Sequence, residues 1–168
     1  MGRLRQVPRS ETDDPVVLGM YDLLFGKDVD PVTDQKMGTA TGSEGDWWTT
    51  YALSPDIMEH AVAGFVMYRS PNRVVDGVLR ELAQTRIGWC AGSKFVFSQH
   101  VQALRGLGAD PDKIRDISAW QTSEAYTRTE RAVLAYADAI ALDAGRVSDA
   151  LFAALREELS DEEIFELT

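Results

Sequence analysis

The chain has 168 residues, a length that suits one domain with one sizeable core. Its 17 basic and 27 acidic residues give a formal charge of −10, which argues against nucleic acid or an anionic membrane as the main partner. Hydrophobic residues make up 45% and charged residues 26%, as in ordinary soluble globular proteins. One cysteine, Cys90, excludes an intrachain disulfide and fits a reducing compartment. No stretch approaches the roughly 20 apolar residues of a membrane span. The start, MGRLRQVPRSETDD, has no apolar run behind its arginines and does not read as a secretory signal. A cytoplasmic location is the resulting expectation.

Residues 1–14 read as a loose exposed arm. Pro15 to Phe25 reads as a first helix, with Asp14 as N-cap and Pro15 at its first position. Its apolar face would hold Val17, Met20, Tyr21 and Leu24. Gly26 to Ser54 carries five of the chain's Gly and Pro residues and ends in Trp47-Trp48. It is too long for an ordinary connector and is expected to be an irregular excursion over the body or a neighbouring subunit, with a substrate lid as the sharper alternative. Ser54-Pro55 opens a helix to about Arg69, capped by Ser54 and burying Ile57, Ala61, Gly64, Phe65 and Tyr68. His60 on this helix reads as a surface or boundary residue. Arg73 to Ile87 forms the next helix, with Val75, Val78, Leu79, Leu82 and Arg86 inward. Arg86 there either pairs with an acid or snorkels.

The stretch Glu81–Gly106 reads as two amphipathic helices broken at Gly88-Trp89-Cys90-Ala91-Gly92, with Ser93 capping the second. Ser93, Val96, Phe97, His100, Leu104 and Leu107 recur at three- and four-residue spacing. That puts His100 on the apolar stripe, where its imidazole needs a partner. Glu81 is the nearest candidate in sequence. Asp110-Pro111 starts a short helix to about Trp120. Thr127 and Glu130 form a capping box before a helix that Gly145 ends. Ser148 caps the next, and Ser160 with Glu163 caps the last. Nothing alternates with period two for long enough to be a strand. The expected fold is all-α, with about seven or eight helices. The division is expected as an irregular N-terminal arm, first helix and long loop over 1–50, then a helical domain over 51–168.

Four segments carry a resemblance. Arg80-Glu81-Leu82-Ala83 matches an R-E-L-A helix. Gly92-Ser93 with Gln99-His100-Val101 matches a G-S-x-x-x-x-x-Q-H-V segment, continued by Ala103, Gly106 and Gly108. Thr129 to Ala137 matches T-E-R-A-L-L-A-Y-A. Phe152 to Leu167 matches a closing L-R-E-x-x-S-D-E-E-I-x-E-L-T. In this order, over roughly residues 50–168, they resemble the carboxymuconolactone decarboxylase family, which includes the alkylhydroperoxidase D-like proteins. The resemblance implies an alkylhydroperoxidase D-like helical bundle that assembles as a homo-trimer or homo-hexamer.

The peroxidase branch of that family carries E-x11-C-x2-C-x3-H, in which glutamate and histidine activate a cysteine pair. The thiolate is the nucleophile and needs a base to form at neutral pH. Counted from Glu81, the cysteine positions fall on Ser93 and Val96 and the histidine on His100. Glu81 and His100 are kept and both cysteines are replaced; Cys90 lies three residues before the frame. A peroxidase cycle through an internal disulfide is therefore excluded. The decarboxylase branch commonly has a glutamate four residues before the histidine, where this chain has Val96.

Several readings stay open. His100 is either a satisfied core histidine or a site residue, and Glu81 an interhelix partner or its acid–base companion. Ser93 is a helix cap or a hydroxyl relay. Cys90 is a small buried hydrophobe or a reactive thiol. Trp89, Phe95, Phe97 and Trp120 are expected mostly in the core. The first functional expectation is lyase- or isomerase-like proton transfer on a small lactone or carboxylate, with Glu81, His100 and Ser93 as the site. The second is peroxide reduction by Cys90 alone with an external thiol. The third is a helical oligomer that binds a ligand without chemistry. Two isolated histidines, scattered acids and no Gly-rich phosphate loop suggest neither a metal nor an organic redox cofactor.

Overall fold

A computed structural model of the chain describes residues 3–34 and 46–168. Among the described residues there are nine α-helices, two 3-10 helices and no strand. The all-α expectation holds. No described helix is long and apolar enough to cross a membrane. The chain divides into two compact units, one ending at Pro71 and one beginning at Asn72.

The first unit contains α1 (Pro15–Leu24), α2 (Asp46–Tyr51) and α3 (Pro55–Tyr68). Asp14 caps α1 by accepting the N–H groups of Val16 and Val17. Val17, Tyr21 and Leu24 turn inward, against Val7, Trp48 and Met58. The expected loose arm is instead pinned. The Tyr21 hydroxyl donates to the Val7 carbonyl at 2.7 Å, and Val7 donates its N–H to the Thr49 carbonyl. Arg9 pairs with Asp22 at 2.8 Å.

Within the Gly26–Ser54 excursion, residues 35–45, including Gly38, Gly42 and Gly45, lie outside the described residues. Trp47 and Trp48 stack at 4.2 Å between ring centroids, and both lie against Phe65 of α3. The buried face of α3 differs from expectation. Met58 is its buried side chain, with Val62 one turn on, while Ile57 and Phe65 are exposed. Packing of Met58 and Val62 into the Tyr21–Trp48 core decides the helix's rotation, and composition alone could not choose between these faces. Ser54 precedes α3 but makes no side-chain cap; Pro55 alone marks the start. His60 is exposed, as expected.

The second unit contains α4 (Gly77–Cys90), α5 (Lys94–Gly106), α6 (Pro111–Asp116), a 3-10 segment (Ile117–Thr122), α7 (Arg128–Leu142), α8 (Asp149–Arg156) and α9 (Asp161–Leu167). Helix α4 packs against both α5 and α7. It starts at Gly77 and not at the expected Arg73. Asp76 caps it through Val78 and Leu79, while the N–H groups of Val74 and Val75 donate to Glu166 of α9 at 2.9 and 3.0 Å. It also runs through Gly88 to Cys90, so the break spans Ala91–Ser93 alone. Gly92 makes the turn at φ +64°, where glycine carries no Cβ penalty. The capping boxes at Thr127 and Ser160 and the caps at Ser93 and Ser148 form as expected.

Candidate functional site

Helices α4 and α5 form a hairpin closed by three residues. Gly88 sets their spacing. A Cβ there would lie 2.8 Å from the Phe97 nitrogen and 3.1 Å from Val96 Cγ1, so no other residue fits this approach. Glu81 precedes Gly88 by seven residues, two turns, and so shares its face toward α5. The sequence places His100 on α5 at the matching side.

The two side chains meet. Nδ1 of His100 and Oε2 of Glu81 are 2.8 Å apart. The glutamate side chain is 4% exposed and the histidine 21%. An ionised Glu81 accepts the Nδ1 proton, and the remaining nitrogen, Nε2, keeps its lone pair. Arg80, next in sequence, places Nη2 3.5 Å from the other glutamate oxygen. One turn before His100 stands Val96, half-buried, where either family branch would carry a polar or sulfur group.

Ser93 caps α5, its hydroxyl accepting the Val96 N–H at 3.3 Å. Seven residues separate it from His100, about 10 Å along the helix axis. One position of the expected stripe differs. Leu107 is half exposed just past the end of α5, while Val101, which the stripe did not include, is buried. Trp89 and Phe95 are also exposed, not core, because they flank the turn; Trp120 is buried and Phe97 half-buried.

Cys90 lies elsewhere. Nine residues after Glu81, it sits about 180° around α4. Its thiol donates to Oδ1 of Asp138 on α7 at 3.5 Å. Burial pushes the thiol's pKa up; the Arg86 charge opposes this, and the Asp138 carboxylate adds to it. Asp138 is the residue that sequence reasoning missed. Its two oxygens accept from Arg86 Nε and Nη2 at 2.5 and 3.1 Å, from Trp120 Nε1 at 3.0 Å and from Gln121 Nε2 at 3.3 Å. Arg86 also donates to the carbonyls of Ile117 and Ser118 at 2.9 and 3.0 Å. A signal was present: Asp138 follows Leu134 by four and Arg86 follows Leu82 by four. Each charge therefore lies on its helix's buried stripe, a placement that requires an opposite partner.

Among the described residues, no three His, Cys, Asp or Glu side chains group as metal ligands. A cavity of about 310 Å³ lies between α7, α8 and α9, lined by Tyr136, Phe152, Ile164 and Phe165 among others; Glu81 and His100 are not among its lining residues.

The family model for the carboxymuconolactone decarboxylase family matches residues 55–139, just over half of the chain. The uncharacterized protein YdfG of Bacillus subtilis is 28% identical over 94 residues, which is 55% of this chain and 64% of that relative's length. A protein of unknown function from Agrobacterium tumefaciens, proposed to be the antioxidant defence protein AhpD, superposes with a TM-score of 0.61 at 29% identity. That match covers 71% of this chain and 81% of the other. The apo debrominase Bmp8 superposes with a TM-score of 0.72 at 20% identity, over 99% of this chain and 81% of that one, and shows the same fold. Fold, order of motifs and matched residues lead to one statement: the chain belongs to the carboxymuconolactone decarboxylase family.

Proposed function

We propose that the protein performs acid–base chemistry on a small organic substrate, lyase- or isomerase-like, with His100 as the proton-transferring group and Glu81 behind it. The observation that carries this reading is the 2.8 Å contact between Nδ1 and Oε2, with the carboxylate buried and the ring partly open. In such pairs the carboxylate fixes the ring's tautomer and faces the imidazolium that forms during proton transfer. Val96 beside His100 gives the site an apolar wall, as small-ligand sites usually have. Ser93 supports the site by capping the helix that carries His100. A relative by fold, Bmp8, has been crystallised with 2,3,4-tribromopyrrole, a small organic molecule. The working unit is proposed to be a cytoplasmic homo-trimer or homo-hexamer.

Peroxide reduction through Cys90 has less support. Its sulfur faces Asp138 on the far side of α4, and burial and that carboxylate both disfavour the thiolate.

The test is turnover of a panel of carboxylated lactones, alongside cumene hydroperoxide with excess dithiothreitol. We expect lactone turnover to fall by about 100-fold or more in His100→Gln and roughly 10-fold or more in Glu81→Gln, with Cys90→Ser unchanged. Full turnover in His100→Gln, or hydroperoxide turnover lost in Cys90→Ser, would overturn the reading.

A further inference from the structure

Arg80 directly adjoins the pair. Neighbouring residues on a helix point about 100° apart and do not normally face each other. Arg80 nevertheless brings Nη2 to 3.5 Å from Oε1 of Glu81. The arginine side chain is 18% exposed and the glutamate 4%. The glutamate's two oxygens are thus divided, one toward a guanidinium and one to His100 Nδ1. A carboxylate engaged at both oxygens loses its freedom of rotation.

The protonation state matters as much as the rotation. A carboxylate with so little solvent stays ionised most readily when a cation stands beside it. A protonated Glu81 would donate to Nδ1. The ring proton would then sit on Nε2, and the remaining nitrogen would be a donor where a base is needed.

We propose that Arg80 is a positioning residue of the Glu81–His100 pair: it holds Glu81 ionised and oriented as acceptor of the Nδ1 proton, and so keeps Nε2 of His100 a base. This rests on the acid–base reading above for its catalytic meaning, but not for its geometry. A second carboxylate, Glu166 of α9, pairs with Arg73 at 3.5 Å on the same side of α4. The Glu166 carboxylate, fixed by the N–H groups of Val75 and Val74, lies within the electrostatic reach of Arg73 and Arg80.

The experiment reads the ring directly. The chain has two histidines, so a His60→Gln background leaves one imidazole signal. Two-bond ¹⁵N–¹H spectra of the ¹⁵N-histidine protein near neutral pH report which ring nitrogen is protonated. The background protein should show the Nδ1–H form. Arg80→Met should raise the ratio of Nε2–H to Nδ1–H at least about threefold, and Arg80→Lys, which keeps a cation, should largely restore it. Arg80→Gln replaces the methionine variant if that variant does not fold. An unchanged ratio in the neutral variant, or an equal change with lysine, would overturn the proposal. The spectra need no substrate, so this failure is distinct from that of the catalytic reading, which His100→Gln turnover decides.

Discussion

The two faces of α4 meet two carboxylate systems built on different plans. Toward α5, Glu81 meets one imidazole and one guanidinium, and the imidazole reaches solvent. Toward α7, Asp138 takes donors from Arg86, Trp120, Gln121 and Cys90, and Arg86 spends its remaining nitrogen on two backbone carbonyls. The second system gives both charged groups several partners within the fold, although Asp138 keeps 17% of its side chain exposed and Gln121 lies at the surface. The first leaves a ring nitrogen that can act on something else. Networks with several internal partners serve stability and specificity of packing, whereas a partly open pair is the kind of arrangement that does chemistry.

The strongest way to break this contrast is to remove one carboxylate from each face. Asp138→Ala strands a guanidinium that is 7% exposed and should cost about 3 kcal/mol or more of unfolding free energy. Glu81→Ala should cost less, about 1–2 kcal/mol, because the ring it leaves can turn to water. Urea denaturation of both variants checks this, and equal losses would erase the distinction.

A smaller effect tests what the two faces share. Gly88→Ala would press a methyl onto the Phe97 backbone and force α4 and α5 apart. A loss of about 1–3 kcal/mol is expected. The Glu81–His100 contact should loosen while the Asp138 cluster stays intact, which would appear as changed His100 ring shifts with an unshifted Trp120 indole signal.

The smallest effect lies in acid. Glu166 has its carboxyl held below the usual range by the Val75 N–H, helped by the Val74 N–H, Arg73 and Arg80 and opposed by desolvation. A carboxylate depressed in the folded state adds stability above its unfolded pKa of about 4.3 and loses it as pH falls through the folded value. Thermal melts from about pH 6 to about pH 3 should therefore show a shallower acid decline in Glu166→Gln than in the parent protein. Parallel curves would show that α9 does not hold the start of α4 through this charge.

Much of the second unit was legible from residue order. The caps at Ser93, Thr127, Ser148 and Ser160 are local, because each side chain satisfies an N–H group three residues on. The Glu81–His100 pairing was legible because a short hairpin leaves few partners for an inward imidazole. The loose reading of residues 3–14 failed because Val7 and Arg9 bind groups 14 to 42 residues away. The boundary at Arg73 failed for the same kind of reason: Glu166, more than 90 residues on, takes the N–H groups of Val74 and Val75.

The sequence by itself determined the helical class, most helix ends, the missing cysteine pair and the two residues of the candidate site, since periodicity, caps and spacing act over one or two turns. Only the tertiary structure decided that Cys90 turns away from His100 toward Asp138, that Arg86 closes that cluster, and that Gly88 is a point of contact and not a break. These depend on which helix faces are pressed together, and that choice is made by packing the whole core at once.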